Sequence, residues 1–262
     1  MKFGIVANPE KEECLKLVKK IYERIDLVVE ERTAERIGIK GVPLEEMDVD
    51  VIITIGGDGT ILRTLQRSKC KILGVNMGLL GFLTEIKPGE IWDALEKIRR
   101  GEYFLDRRMK IKVLLNGKRL YDCTNEVVIH TAEIAKLRGY KIYFKDEFLE
   151  DLRADGIIIA TSTGSTSYAL SAGGPILHPH CESIVITPIA PFKKAPRSLV
   201  LPAEEIRIEL KDGKKNLLVL DGQESIEISD DDCVKIQKSE NYAEFIRFGD
   251  TGMSRIREEI LQ

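Results

Sequence analysis

An open parallel α/β domain followed by a β-sandwich-like domain is the architecture this sequence predicts, on three observations. From Met1 to about Gly101, short apolar runs alternate with amphipathic helical ones, the pattern of a parallel sheet with crossover helices. A glycine-rich turn, Gly56-Gly57-Asp58-Gly59-Thr60, joins one such run to a helix. After Asp106-Arg107-Arg108 the texture changes to many short strands with hairpin turns, the mark of an all-β layer. The expected boundaries are 1–105 for the α/β domain and 106–240 for the β domain, with 241–262 expected to dock back on the first.

In the first half, Phe3 to Ala7 reads as a strand. Lys11 to Ile25 reads as a helix, with Cys14, Leu15, Val18, Ile21, Tyr22 and Ile25 at helical spacing. Asp26 to Glu30 is a short strand. Val49 to Ile55 (VDVIITI), rich in β-branched residues, is a buried parallel strand. Ile61 to Gln66 gives the first turns of a helix, Lys71 to Val75 another strand, and Ile91 to Arg99 a closing helix. In the second half, Met109 to Leu115 and Arg119 to His130 read as strands joined at Asn116-Gly117, a type I′ hairpin signal. Further strands are expected at Lys141 to Phe144, Gly156 to Ala160, Ser183 to Thr187, Glu205 to Leu210, Asn216 to Leu220, Ser225 to Ile228 and Cys233 to Gln237. Asp221-Gly222 is a second hairpin turn, and Gly252 to Gln262 a short charged helix.

At 262 residues the chain can bury a substantial core, and a net charge of −3 gives no support to general nucleic-acid binding. The N-terminus begins directly with an apolar strand, without signal architecture, and no apolar run approaches a membrane span. A cytoplasmic protein without membrane or nucleic-acid partners is expected. Its five cysteines are odd in number, scattered and never spaced as CxxC, so they read as reduced thiols.

Chemistry concentrates at two places. A glycine turn between strand and helix presents bare N–H groups at a helix N-terminus, where the dipole favours an anion. Asp58, an acid where a phosphate would be repelled, needs a metal ion, a sugar hydroxyl or a proton to remove; the bland alternative is a helix N-cap. The second place is Thr161 to Ile176 (TSTGSTSYALSAGGPI), dense in hydroxyls and small residues and entered directly from an apolar strand. Such a segment suits sugar or phosphate groups, with Tyr168 adding an aromatic face. Ser165 or Thr166 could equally cap a helix there. Asn125-Glu126 puts an amide and a carboxylate into an apolar strand pattern, where the amide can read an adenine edge or simply sit exposed. Asp155-Gly156 is another acid in a turn, and Phe82 in Gly78 to Phe82 suits a pocket wall, though a core position is commoner. No GxxxxGK[ST] loop or GxGxxG fingerprint occurs. His178-Pro179-His180-Cys181 has poor chelate geometry, and the Lys193-Lys194 and Arg197 cluster reads as a solvated loop that could meet phosphates.

Taken in order, GGDGT at 56–60, GLLGF at 78–82, NE at 125–126, DGIIIATSTGSTSYALSAGGPI at 155–176, RSLVLP at 197–202 and DGQ at 221–223 resemble the NAD kinase family over nearly the whole chain. The long segment is the specific one, because lipid kinases and phosphofructokinases also carry GGDG. The resemblance implies phosphorylation of the adenosine-ribose 2′-hydroxyl of NAD, or of NADH, from ATP or polyphosphate. On it, Asp58 is the catalytic base, while Gly56, Gly57, Gly59 and Thr60 face the donor phosphates with Mg²⁺ or another divalent cation. Asn125, Glu126 and Asp155 hold the dinucleotide. Thr163, Thr166, Ser167, Tyr168 and Ser171 line the adenosine pocket, with Phe82 as a wall. It further implies a homodimer or homotetramer. The competing readings are a non-catalytic NAD(P) sensor and a GGDG-type lipid or sugar kinase. Three departures bear on loop rigidity and fine substrate preference. Ala160-Thr161-Ser162-Thr163-Gly164 lacks the family's usual loop proline, Ser167 replaces an alanine, and Phe192 stands where many members have histidine.

Overall fold

The computed structural model describes residues 1–78, 81–133, 136–192 and 197–249. The described residues divide into two compact units, Met1–Arg107 with 243–249, and Arg108–Tyr242.

The first unit alternates strand and helix: β1 (Phe3–Ala7), α1 (Glu12–Tyr22), β2 (Val28–Val29), α2 (Glu31–Ile37), β3 (Val51–Gly56), α3 (Asp58–Arg67), β4 (Lys71–Asn76) and α4 (Ile91–Arg100). The strands run parallel in the order β2-β1-β3-β4. Side chains alternate across them, so Ile5, Ile53 and Leu73 join one apolar cluster with Val18 of α1 and Ile98 of α4. Val6, Ile52 and Ile72 join another with Ile61 and Leu65 of α3. Helices covering both faces explain why β3 has no exposed residue. Helix α2 is absent from the sequence reading because its buried residues are Thr33 and Ala34, which make no apolar stripe. Glu30 caps it through Thr33 N–H at 3.0 Å, and Gly38 ends it at φ 76°.

Two long strands, β5 (Phe104–Leu115) and, near the C-terminus, β16 (Cys233–Arg247), carry residues of both units. Between them lie β6 (Lys118–Arg119), β7 (Glu126–Thr131), β8 (Arg138–Phe144), β9 (Glu147–Ala154), β10 (Gly156–Thr161), α5 (Tyr168–Ser171), β11 (Ser183–Ile189), β12 (Leu199–Pro202), β13 (Ile206–Lys211), β14 (Asn216–Leu220) and β15 (Glu224–Ile228). One antiparallel sheet runs β12-β11-β10-β7-β14-β15, and β16-β13-β8-β9 form a second layer. Val127, Ile159 and Leu218 from the first meet Ile142, Ile208 and Val234 from the second in one core, which makes the unit a sandwich. On the outer face of the first sheet, Val128, Ile158 and Val185 pack with Ala169 of α5.

Asn116-Gly117 and Asp221-Gly222 take positive φ at both residues, as a I′ turn requires. Lys145-Asp146, without a turn-type dipeptide, does the same between β8 and β9. The strand expected from Arg119 to His130 is broken into β6 and β7. The amides of Thr124, Asn125 and Glu126 leave the ladder to bond a single carboxylate, Asp221. The strand expected at Cys233 to Gln237 runs on to Arg247, whereas the helix expected at Gly252 to Gln262 lies outside the described residues.

Candidate active site

In the first unit the chain leaves β1 towards β2 on one side and β3 towards β4 on the other, so the sheet's switch point lies between β1 and β3. Ligands of open α/β sheets bind beyond the carboxyl ends of the strands at such a point. The glycine turn sits there. Gly57 is the extended N-cap of α3, and the helix starts at Asp58, earlier than the sequence suggested. A Cβ on Gly56 would lie 2.4 Å from Thr60 Oγ1, so packing within the turn requires that glycine. By contrast, a Cβ on Gly57 or Gly59 would meet nothing within 4 Å, and neither has a left-handed φ. Both are exposed. Nothing among the described residues demands glycine at these two positions; bare backbone faces outward at a helix N-terminus.

Asp58 is not the cap of α3. Its Oδ2 accepts from Phe82 N–H at 3.0 Å and its Oδ1 from Leu83 N–H at 3.2 Å. Gly81 gives room for this, since a Cβ there would lie 2.4 Å from Asp58 Oδ1. Burial pushes the Asp58 pKa above the ordinary carboxylate value, against the lowering pull of the Leu83 and Phe82 amides and the Arg247 guanidinium. The result is a half-buried carboxylate, a better proton acceptor than a solvated aspartate. Phe82 was expected as a pocket wall; its amide already serves the site.

In the second unit, Asn125 and Glu126 are buried, not exposed strand positions. Fully buried Asp221 accepts from the amides of Thr124 (2.8 Å), Asn125 (2.8 Å) and Glu126 (3.0 Å), fixing the turn that carries both side chains. Yet Asn125 Oδ1 and Glu126 Oε2 have no hydrogen-bond partner. Burial first, and ionised Asp221 second, push the Glu126 pKa up to about 8; burial pushes Asp221 to about 6.

The hydroxyl-rich loop lies directly against this turn. A Cβ on Gly164 would stand 2.2 Å from the Asn125 carbonyl oxygen, so only glycine lets the two backbones meet. Ser167 Oγ, added where an alanine is usual, approaches Glu126 Oε1 at 3.4 Å. Thr166 Oγ1 bonds the carbonyl of Thr163 at 3.2 Å. Tyr168 and Ser171 stand exposed on α5. Neither Ser165 nor Thr166 caps a helix: Thr163 and Ser167 occupy the cap positions, without side-chain cap bonds. Ser165 Oγ instead ties the loop together, donating to Ser162 O at 2.7 Å and accepting from Leu177 N–H at 3.0 Å. Asp155 is not part of this group. In the β10–β7 ladder Gly156 pairs with His130 and Ala160 with Glu126, which puts Asp155 roughly 17 Å along the strand. Leu79 and Leu80 of the GLLGF motif, and Lys193 and Lys194, lie outside the described residues.

Sequence reasoning assigned no role to Asp221, Gly81 or Arg247. Asp221 stood in a hairpin dipeptide and in the DGQ motif and Gly81 in GLLGF, in each case without a role, while Arg247 carried no local signal.

A bare glycine turn at a parallel switch point, with a hydroxyl-lined loop and orphaned acceptors on an antiparallel sandwich, defines a nucleotide-binding protein. Residues 33–103 match the ATP-NAD kinase N-terminal domain and residues 124–248 the ATP-NAD kinase C-terminal domain. The chain is 42% identical to an NAD kinase of Thermoplasma volcanium, covering 100% of this chain and 98% of the relative. It is 44% identical to one of Thermococcus gammatolerans, covering 95% and 94%. Among solved structures it resembles an NAD kinase from Archaeoglobus fulgidus in complex with ATP, with TM-score 0.79, 29% identity and 99% and 97% coverage. A yeast NADH kinase complexed with NADH shares the fold at TM-score 0.88, with 23% identity over 100% of this chain and 87% of that one. The chain belongs to the NAD kinase family.

Proposed function

We propose that this chain transfers a phosphoryl group from ATP or polyphosphate to the 2′-hydroxyl of the adenosine ribose of NAD. Phosphorylation of NAD to NADP is the activity of its family and of this chain; the residue roles, the donor, the metal and the assembly make up the proposal.

The observation that supports it best is the pair of buried oxygens, Asn125 Oδ1 and Glu126 Oε2, left without a hydrogen-bond partner. Buried acceptors are rarely left unpaired, and the cost of doing so is repaid by a ligand that brings N–H or O–H groups. An adenine amine and ribose hydroxyls are such groups. Thr163, Thr166, Ser167, Tyr168 and Ser171 line the same loop for the nucleoside. The bare Gly57 and Gly59 suit donor phosphates, which need close approach to amides. A ribose hydroxyl is a weak nucleophile, and Asp58 takes its proton as the loose phosphoryl-transfer transition state forms. Among the described residues no three His, Cys, Asp or Glu side chains gather to hold a metal. On this reading a Mg²⁺ would arrive with the donor, bound by its phosphate oxygens and neutralising them, and this chain's contribution is alignment and the base.

A homo-oligomer belongs to the same reading. Phe148 on β9, last in its layer, is 59% exposed, and Phe192, whose N–H bonds Arg153 O of β9, is 55% exposed. On that reading Asp155, away from the Asn125-Glu126 turn, serves a dinucleotide held by a second copy. No described helix is long and apolar enough to cross a membrane. A cytoplasmic location belongs to the same reading, with all five cysteines as free thiols.

The test is a coupled assay for NADP with NAD or NADH, ATP or polyphosphate, and Mg²⁺. Asp58→Asn is expected to lower kcat by roughly 10²–10⁴-fold with NAD binding retained. Full turnover in that variant would make Asp58 a binding residue. Binding without turnover in the parent chain would leave a sensor, and neither would return the lipid and sugar kinases to consideration.

A further inference from the structure

We infer that Arg247 is the positioning residue for Asp58, gripping from behind the loop whose amides hold the carboxylate. The inference rests on the reading of Asp58 as proton acceptor.

Arg247 ends β16 and is fully buried. Its Nη1 donates to Leu83 O at 3.0 Å, to Thr84 O at 3.2 Å and to Glu85 Oε2 at 3.2 Å. Its Nε faces Asp106 Oδ2 at 3.4 Å, and its guanidinium lies 4.9 Å from the Phe245 ring centroid. The neighbouring Phe248 N–H donates to Glu85 Oε1 at 2.9 Å, so two consecutive residues at the end of the chain's last described strand hold one loop. Leu83 joins the two ends of the device. Its N–H points at Asp58 Oδ1, and its carbonyl accepts from Arg247. The Leu83 carbonyl shares its peptide plane with the Thr84 N–H, a third amide that lowers the Asp58 pKa, so the guanidinium fixes the plane that follows Leu83 and, through the Leu83 Cα, restrains the loop whose amides face Asp58.

The same cation acts on Asp58 through charge. It lowers the Asp58 pKa, against the burial that raises it, and so keeps the base ionised nearer neutral pH. Asp106 and Glu85 flank the guanidinium and hold it in a low-dielectric interior, where a planar fork keeps several acceptors at once. A lysine at this position carries the charge without the fork. A glutamine carries neither the charge nor the reach.

Arg247→Lys and Arg247→Gln separate the two effects. Loosening the loop by about 1 Å is expected to lower kcat by about 10²-fold in both variants, with KM for NAD within about twofold. The acid limb of the kcat–pH profile moves to higher pH in Arg247→Gln and stays in place in Arg247→Lys. In an Asp58→Asn background, Arg247→Lys is expected to change kcat by less than about twofold, because the residue it positions is already gone. Independent, multiplying losses, or a loss confined to KM, would overturn the inference. So would full turnover in Arg247→Lys while Asp58→Asn is inactive, an outcome that leaves the kinase reading standing. Full turnover in Asp58→Asn would remove both. Should the Arg247 variants fail to fold, Asp106→Asn, which frees the Nε side of the fork, carries the same cycle with the same expectations.

Discussion

Asp58 and Glu126 are both carboxylates set beside the backbone amides of a turn, yet the chain treats them in opposite ways. Asp58 is held by backbone amides of Phe82, Leu83 and Thr84 and faces a nearby cation, and each of its oxygens already has a partner. Glu126 has its backbone held instead, by Asp221, while its side chain keeps one oxygen without any partner and sits against a like charge. The first arrangement prepares a group to act at a fixed place. The second leaves a buried oxygen without a hydrogen-bond partner, which a ligand of the proposed kind would supply. On the proposed roles, a catalytic and a binding carboxylate differ here in what the protein leaves unsatisfied.

Removing Asp221 breaks this comparison most severely. An asparagine there can accept on one oxygen only, so at least one of three buried amides loses its partner and the Asn125-Glu126 turn loses its anchor. Asp221→Asn is expected to weaken NAD binding by roughly 10–100-fold, about 1.4–2.7 kcal/mol. Calorimetric titration with NAD checks it; unchanged affinity would show that the turn holds itself.

The glycine turn allows a sharper cut. Gly56→Ala drives a methyl into Thr60 and is expected to lower stability, whereas Gly59→Ala meets nothing in the chain. In the first turn of α3 an alanine favours the helix by about 0.4–1 kcal/mol. Gly59→Ala is therefore expected to raise Tm slightly while raising KM for ATP on the order of tenfold. Thermal melts beside donor titrations read both, and an unchanged KM would mean that phosphates do not approach that face.

Much of this was legible beforehand, and the failures have common causes. The parallel sheet shows itself because β3 and β4 are apolar on both faces, and Asn116-Gly117 and Asp221-Gly222 announce hairpins by chemistry. Helix α2 and the β8–β9 turn stay hidden because a Thr-Ala face and a Lys-Asp turn resemble nothing in particular. At the site, Asp58 is conspicuous as an acid among glycines. Arg247, more than 160 residues from the loop it grips, belongs to the site only through a contact that tertiary structure makes. Asn125 and Glu126 illustrate a third cause: polar types suggest exposure, and only burial reveals them as unpaired.

The raised pKa of Glu126 ties the comparison to stability. Both Glu126, at about 8, and Asp221, at about 6, lie above their ordinary values, so folding favours their protonated forms. That contribution is complete below the ordinary carboxylate pKa and is lost as pH rises, through about 6 for Asp221 and about 8 for Glu126. Glu126→Gln removes the later loss. Its Tm is expected to match the parent near pH 5 and exceed it near pH 9, by roughly 2–4 °C for each kcal/mol of relief. A pH-independent difference would place Glu126 in contact with water.

The smallest effect concerns the loop proline that this chain lacks. Ser162 is buried at that position, and its hydroxyl donates to the Cys181 carbonyl, while Ser165 bonds the carbonyl of Ser162 and the amide of Leu177. Hydroxyl bonds across the loop thus supply a restraint that a ring would supply within the backbone. The two devices differ in what they spend: a proline reduces the freedom of the unfolded chain, whereas a serine must be held by its partner in the folded one. Ser162→Ala is expected to cost about 0.5–1.5 kcal/mol and to raise KM for NAD by less than about threefold. Ser162→Pro should restore stability without restoring the bond to Cys181. Chemical denaturation of the pair decides whether rigidity at this loop comes from the fold's hydrogen bonds or from the chain itself. A destabilised proline variant would show that the Cys181 contact, and not stiffness, is what the loop requires.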